Sequence, residues 1–295
     1  DLQVAIGVDA QNWITHVMTR GLHSETLHFD IAAYEGDDMR EGTITISGGG
    51  ATQTVTVRQL SWQNLEDNKI FYTSSDGQIV EPYAGTNWGE KTTIISNTYE
   101  NGQGVITFSQ DLTEIGALAF RYCDALTSIT IPNSVKTIEG SAFENCSNLA
   151  EVTIGESVKT IGSNAFLYCG KLESITIPDS VKTIDGWVFY GCSNLAEINI
   201  GTGVETIGED AFHSCDALTS INIPWNVKTI NNYAFVHCNN LAEITLNEGI
   251  ESIGDQAFGC CFGLKSLTIP QSVKEITGNP VAGCNGIEAF YGKFA

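Results

Sequence analysis

The groups in this 295-residue chain that could do chemistry are 9 cysteines, 5 histidines, 35 carboxylates, and a set of aromatic side chains comprising 5 Trp, 9 Tyr and 13 Phe. Cysteines raise two possibilities, disulfides and zinc. Eight of them, Cys123, Cys146, Cys169, Cys192, Cys215, Cys238, Cys261 and Cys284, follow one another at a step of 23 residues, and Cys260 stands outside the series. No C-x-x-C pair occurs, and ligands strung along a line cannot close a tetrahedron, so zinc is disfavoured. His16, His23, His28, His213 and His237 lack H-x-x-x-H and H-E-x-x-H spacing and read as surface or turn residues. Paired acids such as Asp37-Asp38 and Glu209-Asp210 are adjacent, where side chains diverge, whereas a general acid and base must converge. There is no G-x-S-x-G elbow, and Gly48-Gly49-Gly50 joins two strands rather than opening a phosphate-binding helix. The expectation is a protein that is not an enzyme and uses no cofactor and no metal.

Binding chemistry is the remaining option, and it points to two sets of residues. Aromatics occur at variable positions: Trp187 and Tyr233 in one column, Tyr190 in another, with Trp225 after a proline on a different edge. Trp187, Tyr190 and Tyr233 are expected to cluster on one side, where they suit a sugar ring or a protein hot spot; inter-repeat packing would explain them equally well. The second set is the carboxylate row Glu151, Glu197 and Glu243, which alternates with Ser128, Ser174, Ser220 and Ser266. The residue after each strand alternates in step, as Pro132, Gly155, Pro178, Gly201, Pro224, Asn247 and Pro270, giving a second period of 46. Duplication of a two-repeat block explains this, with like charges moved to about 9.6 Å, close to a Debye length.

The elements that must position these residues follow from the same step of 23. Phe120, Phe143, Phe166, Phe189, Phe212, Phe235 and Phe258 share it, as do Leu126 to Leu264 and Ile115 to Ile276. Seven uninterrupted units run from 115 to 275, which a globule with unequal elements would not hold and a solenoid would. Within a unit, Ser128-Ile129-Thr130-Ile131 alternates as a short strand with the isoleucines inward, and Pro132 ends it. Val135 and Ile138 give a second apolar stretch, and the Ala-Phe-x-x-Cys piece is expected to return the chain as a short helical or 3-10 arc. Stacked cysteines about 4.8 Å apart with parallel Cβ vectors are too distant for a disulfide, so buried free thiols are expected.

Before the repeats the pattern changes to hairpins: Thr43–Ile46 and Thr52–Val57 flank a glycine turn, and Val4, Ile6, Val8 and Leu27, Phe29, Ile31 alternate. Such spacing suggests part of an antiparallel β-sandwich. Residues 60–105 fit neither pattern; Ile70–Thr73 and Gln78–Val80 read as a hairpin that caps the first coil, with Ile106-Thr107-Phe108 as a first half-coil. The fold class is therefore mainly β with short helical or 3-10 arcs: an N-terminal partial antiparallel β-sandwich, then a 23-residue-repeat solenoid. With 14 Lys+Arg against 35 Asp+Glu the net charge is −21, which disfavours nucleic acid and anionic lipid, and no run approaches a membrane helix.

The pattern L-x-x-I-x-I-P-x-x-V-x-x-I-x-x-x-A-F-x-x-C resembles the BspA-type leucine-rich repeat over about 106–295. That resemblance implies a right-handed solenoid and adhesion or host-protein interaction at a cell surface, and it supplies no family-wide binding residues. The stretches Asn12-Trp13-Ile14, Phe29–Ala33, Arg40–Ile46 and Thr54–Gln59 resemble a BACON domain, an immunoglobulin-like module proposed to bind carbohydrate or act as a spacer; Tyr34 departs from it, where Asn is common. The domain division read from these patterns is 1–59 for the BACON-like sandwich, 60–105 for the hairpin linker and cap, and 106–295 for the repeats. The expected function is a secreted or cell-surface binding protein, with a lipid anchor as one means of attachment. Its expected partner is a host or cell-surface protein, the alternative being a glycan or mucin, with no transmembrane segment in this chain. The natural protein is expected to continue past Ala295, and the sandwich's missing opening strands either lie before Asp1 or leave an edge that the next segment covers.

Overall fold

The computed structural model describes five strands within residues 3–59 and then residues 66–292. It divides into two compact units, Asp1–Glu66 and Asp67–Ala295. In the first, β1 (Gln3–Ile6), β4 (Arg40–Gly48) and β5 (Ala51–Gln59) form an antiparallel sheet in the order β1-β4-β5. Strands β2 (Ile14–Val17) and β3 (His28–Ile31) pair antiparallel in a second sheet. Strands β4 and β5 pair in register as far as Gly48 and Ala51, and Ile44 is buried. Tyr34, His23 and Asp37-Asp38 lie outside the described residues, as do the side chains of His16 and His28.

The second unit is a stack of parallel coils. Eight two-residue strands, from Glu114–Ile115 through Thr206–Ile207 to Glu275–Ile276, form one parallel sheet with a constant step of 23. Burial of one identical set of side chains per coil holds the stack: Val135, Ile138, Phe143, Cys146 and Leu149 are fully buried, as are their equivalents in the coils through Leu264, while those of the last coil, Ile276, Cys284 and Ile287, are partly buried. The phenylalanine rings stack in a single file from Phe120 to Phe258, with centroids 5.1–5.7 Å apart and planes within 16° of parallel. Each buried Phe or Ile contributes about 1.5–3 kcal/mol as an upper estimate, and it does so only against its neighbours.

The outward-facing strands pair in twos. Leu126–Thr130 pairs with Glu151–Thr153, Ser174–Ile177 with Glu197–Ile200, Ser220–Ile223 with Glu243–Leu246, and Ser266–Ile269 with Ala289–Gly292. This gives the 46-residue period a packing cause as well as a charge one. A side chain at Gly155 would collide with the Pro132 carbonyl, and one at Gly201 with the Ile177 and Pro178 carbonyls. The coil above each proline therefore carries glycine, or at Asn247 an amide that donates to the Ile223 carbonyl at 2.7 Å.

Two sequence expectations are corrected. The return arcs are not helical: among the described residues they are successive turns. The reason is a pair of left-handed columns. One holds Leu118, Ser141, Asn164, Trp187, Asp210, Tyr233 and Gln256; the other holds Tyr122, Asn145, Tyr168, Gly191, Ser214, His237, Cys260 and Gly283, all with φ between 51° and 76°. These turns aim alternate N–H groups across the stack: Trp187, Phe189 and Gly191 donate to the carbonyls of Glu209, Ala211 and His213, while Tyr190 and Cys192 close i−3 turns. A helix would keep all of these bonds inside the coil.

The second correction concerns the segment before the coils. Residues 78–80 are not a strand; β6 (Lys69–Ser74) instead pairs antiparallel with β8 (Gln103–Phe108), and β7 (Ile94–Glu100) lies outside β8. Strand β6 also pairs antiparallel with Leu126–Thr130, so the cap sheet continues into the coil sheet. Ile106–Phe108 accordingly belongs to the cap rather than to a half-coil. Side chains take the place of a ladder at Val80: its N–H donates to the Tyr72 hydroxyl and its carbonyl accepts from the Asn97 amide. Trp88 closes the phenylalanine file, 5.0 Å from Phe108 and 5.8 Å from Phe120.

Candidate functional site

The thiols are structural. All nine cysteines are free. In every coil from Cys146 to Cys284 the sulfhydryl donates to the carbonyl of the phenylalanine 26 residues earlier, at 2.9–3.4 Å. Cys123 has no such phenylalanine before it and donates to the Glu81 carbonyl at 3.7 Å instead. Burial pushes Cys123 up to about 11 and Cys192 and Cys238 up to about 12, so these sulfurs stay protonated. The sequence showed the column; the bond that makes Cys rather than Ala the fitting residue needed the return path of the coil. Cys123, Cys260 and Cys284 are the half-buried members, so Cys260 is not alone in being accessible.

The predicted binding residues fall into three separate places. Trp187 and Tyr190 do come together, joined by Tyr168, Asn164 and Leu167, around an open cavity of about 450 Å³. Tyr168 and Tyr190 meet edge to face at 5.5 Å, and Tyr190 continues onto His213 at 4.2 Å and from there onto His237 at 5.5 Å. His213 is fixed by Asp210, Nδ1 to Oδ1 at 2.6 Å. Burial raises the Tyr190 phenol, so it remains a neutral hydroxyl. Tyr233 shares the Trp187 column two coils on but does not line the cavity.

Trp225 lies elsewhere, 65% exposed, in a recess of about 470 Å³ with Glu205, Asn226, Lys228, Glu248, Gly249 and Glu251. The carboxylates there are already engaged. Glu205 meets Lys228 at 2.9 Å, Glu251 meets Lys274 at 2.7 Å, and Glu248 accepts the N–H groups of Gln271 and Ser272. The third place is the outer strand face, where exposed Glu151, Glu197 and Glu243 stand in register beside Ser128, Ser174 and Ser220. Among the described residues, no group of three or more His, Cys, Asp or Glu is placed to hold a metal.

The exposed rings of the first cleft sit on left-handed backbone, as does every member of the two columns. Trp187 and Tyr168 sit at φ 58° and 59°, yet they remain 39% and 48% exposed. A left-handed conformation costs a residue with a Cβ about 1–2 kcal/mol, less for Asn or Asp. Their own columns use Asn164, Asn145 and Gly191 at equivalent points, so the fold does not require rings there. The sequence marks the Trp187 column as variable, but the left-handed φ at Trp187 and Tyr168 is revealed only by the coil's return path.

A stack of identical coils, with thiols buried and rings and carboxylates displayed in files, defines a leucine-rich-repeat solenoid, a class whose members are typically non-catalytic binding proteins. The BspA type leucine rich repeat region matches in six copies over residues 92–215 and 159–288, and the chain belongs to that family. The BACON domain matches residues 4–60. Among solved structures, the chain is similar to the T. pallidum leucine rich repeat protein TpLRR, with 30% identity and a TM-score of 0.50 over 53% of this chain and 73% of that one. It is also similar to a leucine-rich repeat protein from Bacteroides ovatus, with 28% identity and a TM-score of 0.48 over 66% of this chain and 61% of that one. One from Eubacterium ventriosum gives 26% identity and 0.47, over 56% and 44%, so the chain spans less than two thirds of these last two. No curated protein matches the chain. BspA-type repeat proteins are surface or secreted, and no helix among the described residues is long and apolar enough to cross a membrane.

Proposed function

We propose that this chain is a non-enzymatic secreted or surface-anchored adhesion protein whose coil stack engages a host or cell-surface protein. The observation that carries this reading is the Trp225 recess. A tryptophan 65% exposed at a fixed point of a rigid stack, ringed by Glu205, Glu248 and Glu251, has the composition of an interface anchor. The chain's charge of −21 favours a partner presenting basic side chains, and the file Glu151, Glu197, Glu243 adds to that field. We read the chain as a sandwich over 1–59, a cap that runs through Phe108 and repeats after it, with binding assigned to the repeats.

A panel of immobilised matrix and cell-surface proteins, read by biolayer interferometry, tests the proposal. The full chain should bind at least one member, more weakly as salt is added. Trp225→Ala should weaken binding by about thirtyfold, the effect of losing a hot spot worth about 2 kcal/mol. Absence of any protein ligand, or binding indifferent to Trp225→Ala, would overturn it.

A further inference from the structure

A second, chemically different site lies on the arc side of the stack. We infer that the cleft of Tyr168, Trp187 and Tyr190 is a subsite for the pyranose ring of a neutral oligosaccharide, separate from the recess around Trp225. Three observations support this. The cleft offers ring faces and edges instead of an apolar hole: Trp187 is 39% and Tyr168 48% exposed, and Leu167 is the one aliphatic residue in the lining. A sugar's C–H face stacks on such rings, as any flat or partly apolar ring does.

The polar groups at the margin are neutral hydrogen-bonding groups. The Asn164 amide and the Tyr168 and Tyr190 hydroxyls can each donate and accept, matching the paired donor-acceptor character of sugar hydroxyls. No Lys or Arg lines the cleft, so a phosphate or sulfate has nothing to hold it, and the net charge of −21 repels a nucleotide.

The rings also continue beyond the cleft as a strip. Tyr168, Tyr190, His213 and His237 follow one another at 5.5, 4.2 and 5.5 Å, one ring for each successive coil. The Asp210 carboxylate holds His213 in that line. Packed on one another at these distances, the rings fix Tyr190 in place as one wall of the cleft.

The experiment is a titration of the full chain with neutral trisaccharides of glucose, galactose, mannose, xylose and N-acetylglucosamine, followed by calorimetry and tryptophan fluorescence. At least one should bind with a dissociation constant below about 1 mM. Trp187→Ala should weaken that binding by at least about tenfold. Tyr168→Asn, which installs the residue its column already carries at position 145, should weaken it while the chain stays folded. Phe262→Ala, at another exposed aromatic, should leave it unchanged. Failure of every trisaccharide to bind at about 10 mM overturns the inference, as does binding that survives both cleft variants. Preferential capture of a proline-rich peptide would overturn it too, reassigning the cleft to a protein ligand. Because Trp225 is not touched, these outcomes are independent of the partner screen.

Discussion

Replacing Phe189 by Ala tests whether the coils hold one another up. Phe189 is fully buried, midway along the file, with its ring 5.5 Å from Phe166 and 5.3 Å from Phe212. Truncating a buried phenylalanine costs about 3–5 kcal/mol, and losing two ring contacts places this one at the upper end. Against a domain stability of about 5–15 kcal/mol, that is enough to weaken the central interface below the strength of the stacks on either side. The variant should therefore lose cooperativity as well as stability. Chains labelled with 5-fluorotryptophan and unfolded in urea report this by fluorine NMR. Of the five tryptophan resonances, assigned by single Trp→Phe replacements, that of Trp88 reports the part before the defect and that of Trp225 the part after it. In the wild type the two should share a midpoint; in Phe189→Ala they should separate. A variant whose midpoint moves by less than about 1 kcal/mol, or whose two halves still melt together, would refute the nearest-neighbour account.

Other expectations follow from the same geometry. Gly155→Ala drives a methyl into the Pro132 carbonyl and should cost about 2 kcal/mol or more in chemical denaturation, whereas Gly170→Ala, whose nearest atom would be 3.7 Å away, should be neutral or stabilising by a few tenths. Thiol titration should find all nine cysteines only after denaturation; in the native protein only Cys123, Cys260 and Cys284 should react, and a rapid reaction at Cys192 or Cys238 would contradict their buried, raised thiols. Stability should change with pH in two opposed steps. Burial raises Glu114 and Asp185, so folding gains as acidification protonates them first. Glu205 and Glu251 are held below the usual range by Lys228 and Lys274, and Glu248 and Asp255 by the N–H groups of Gln271 and Asn279. Their contribution is present above the unfolded carboxylate pKa and is lost as pH falls through their folded values. The melting temperature should therefore rise slightly below neutrality and fall below about pH 4; a steady fall from pH 7 would contradict this.

What could be read in advance was what every coil repeats. The positions of Phe143, Cys146, Leu149 and Ile138 recur at one step, and a constant step has one economical structure. The shape of the return arc could not be read, because Ala-Phe-x-x-Cys fits a helix by spacing and only two left-handed residues per coil forbid it. Most of their identities, among them Leu118, Trp187 and Tyr122, are not the glycines and asparagines that announce such a conformation, and the four that are, Asn145, Asn164, Gly191 and Gly283, are scattered over different coils. The cap was misread for a similar reason: Tyr72 and Asn97 tie down Val80 from a distance in sequence that no local pattern contains. For the candidate site, Trp187 and Tyr190 were visible as aromatic departures from the repeat. Tyr168 completed the cleft through a neighbour relation across coils, and Tyr233, though in the same column, lies too far along the stack to share it.

The glycines seated over the Pro132 and Pro178 carbonyls, and the Asn247 amide that takes their place over Pro224, set how such a molecule can change length. Deleting one coil would bring Pro178 down onto Pro132, a ring placed where a Cβ on Gly155 already falls against a carbonyl. Removing two coils restores the original neighbours throughout. Gains and losses of 46 residues are thus silent to the packing, whereas those of 23 leave a scar, so lineages of this architecture should vary by even numbers of rungs.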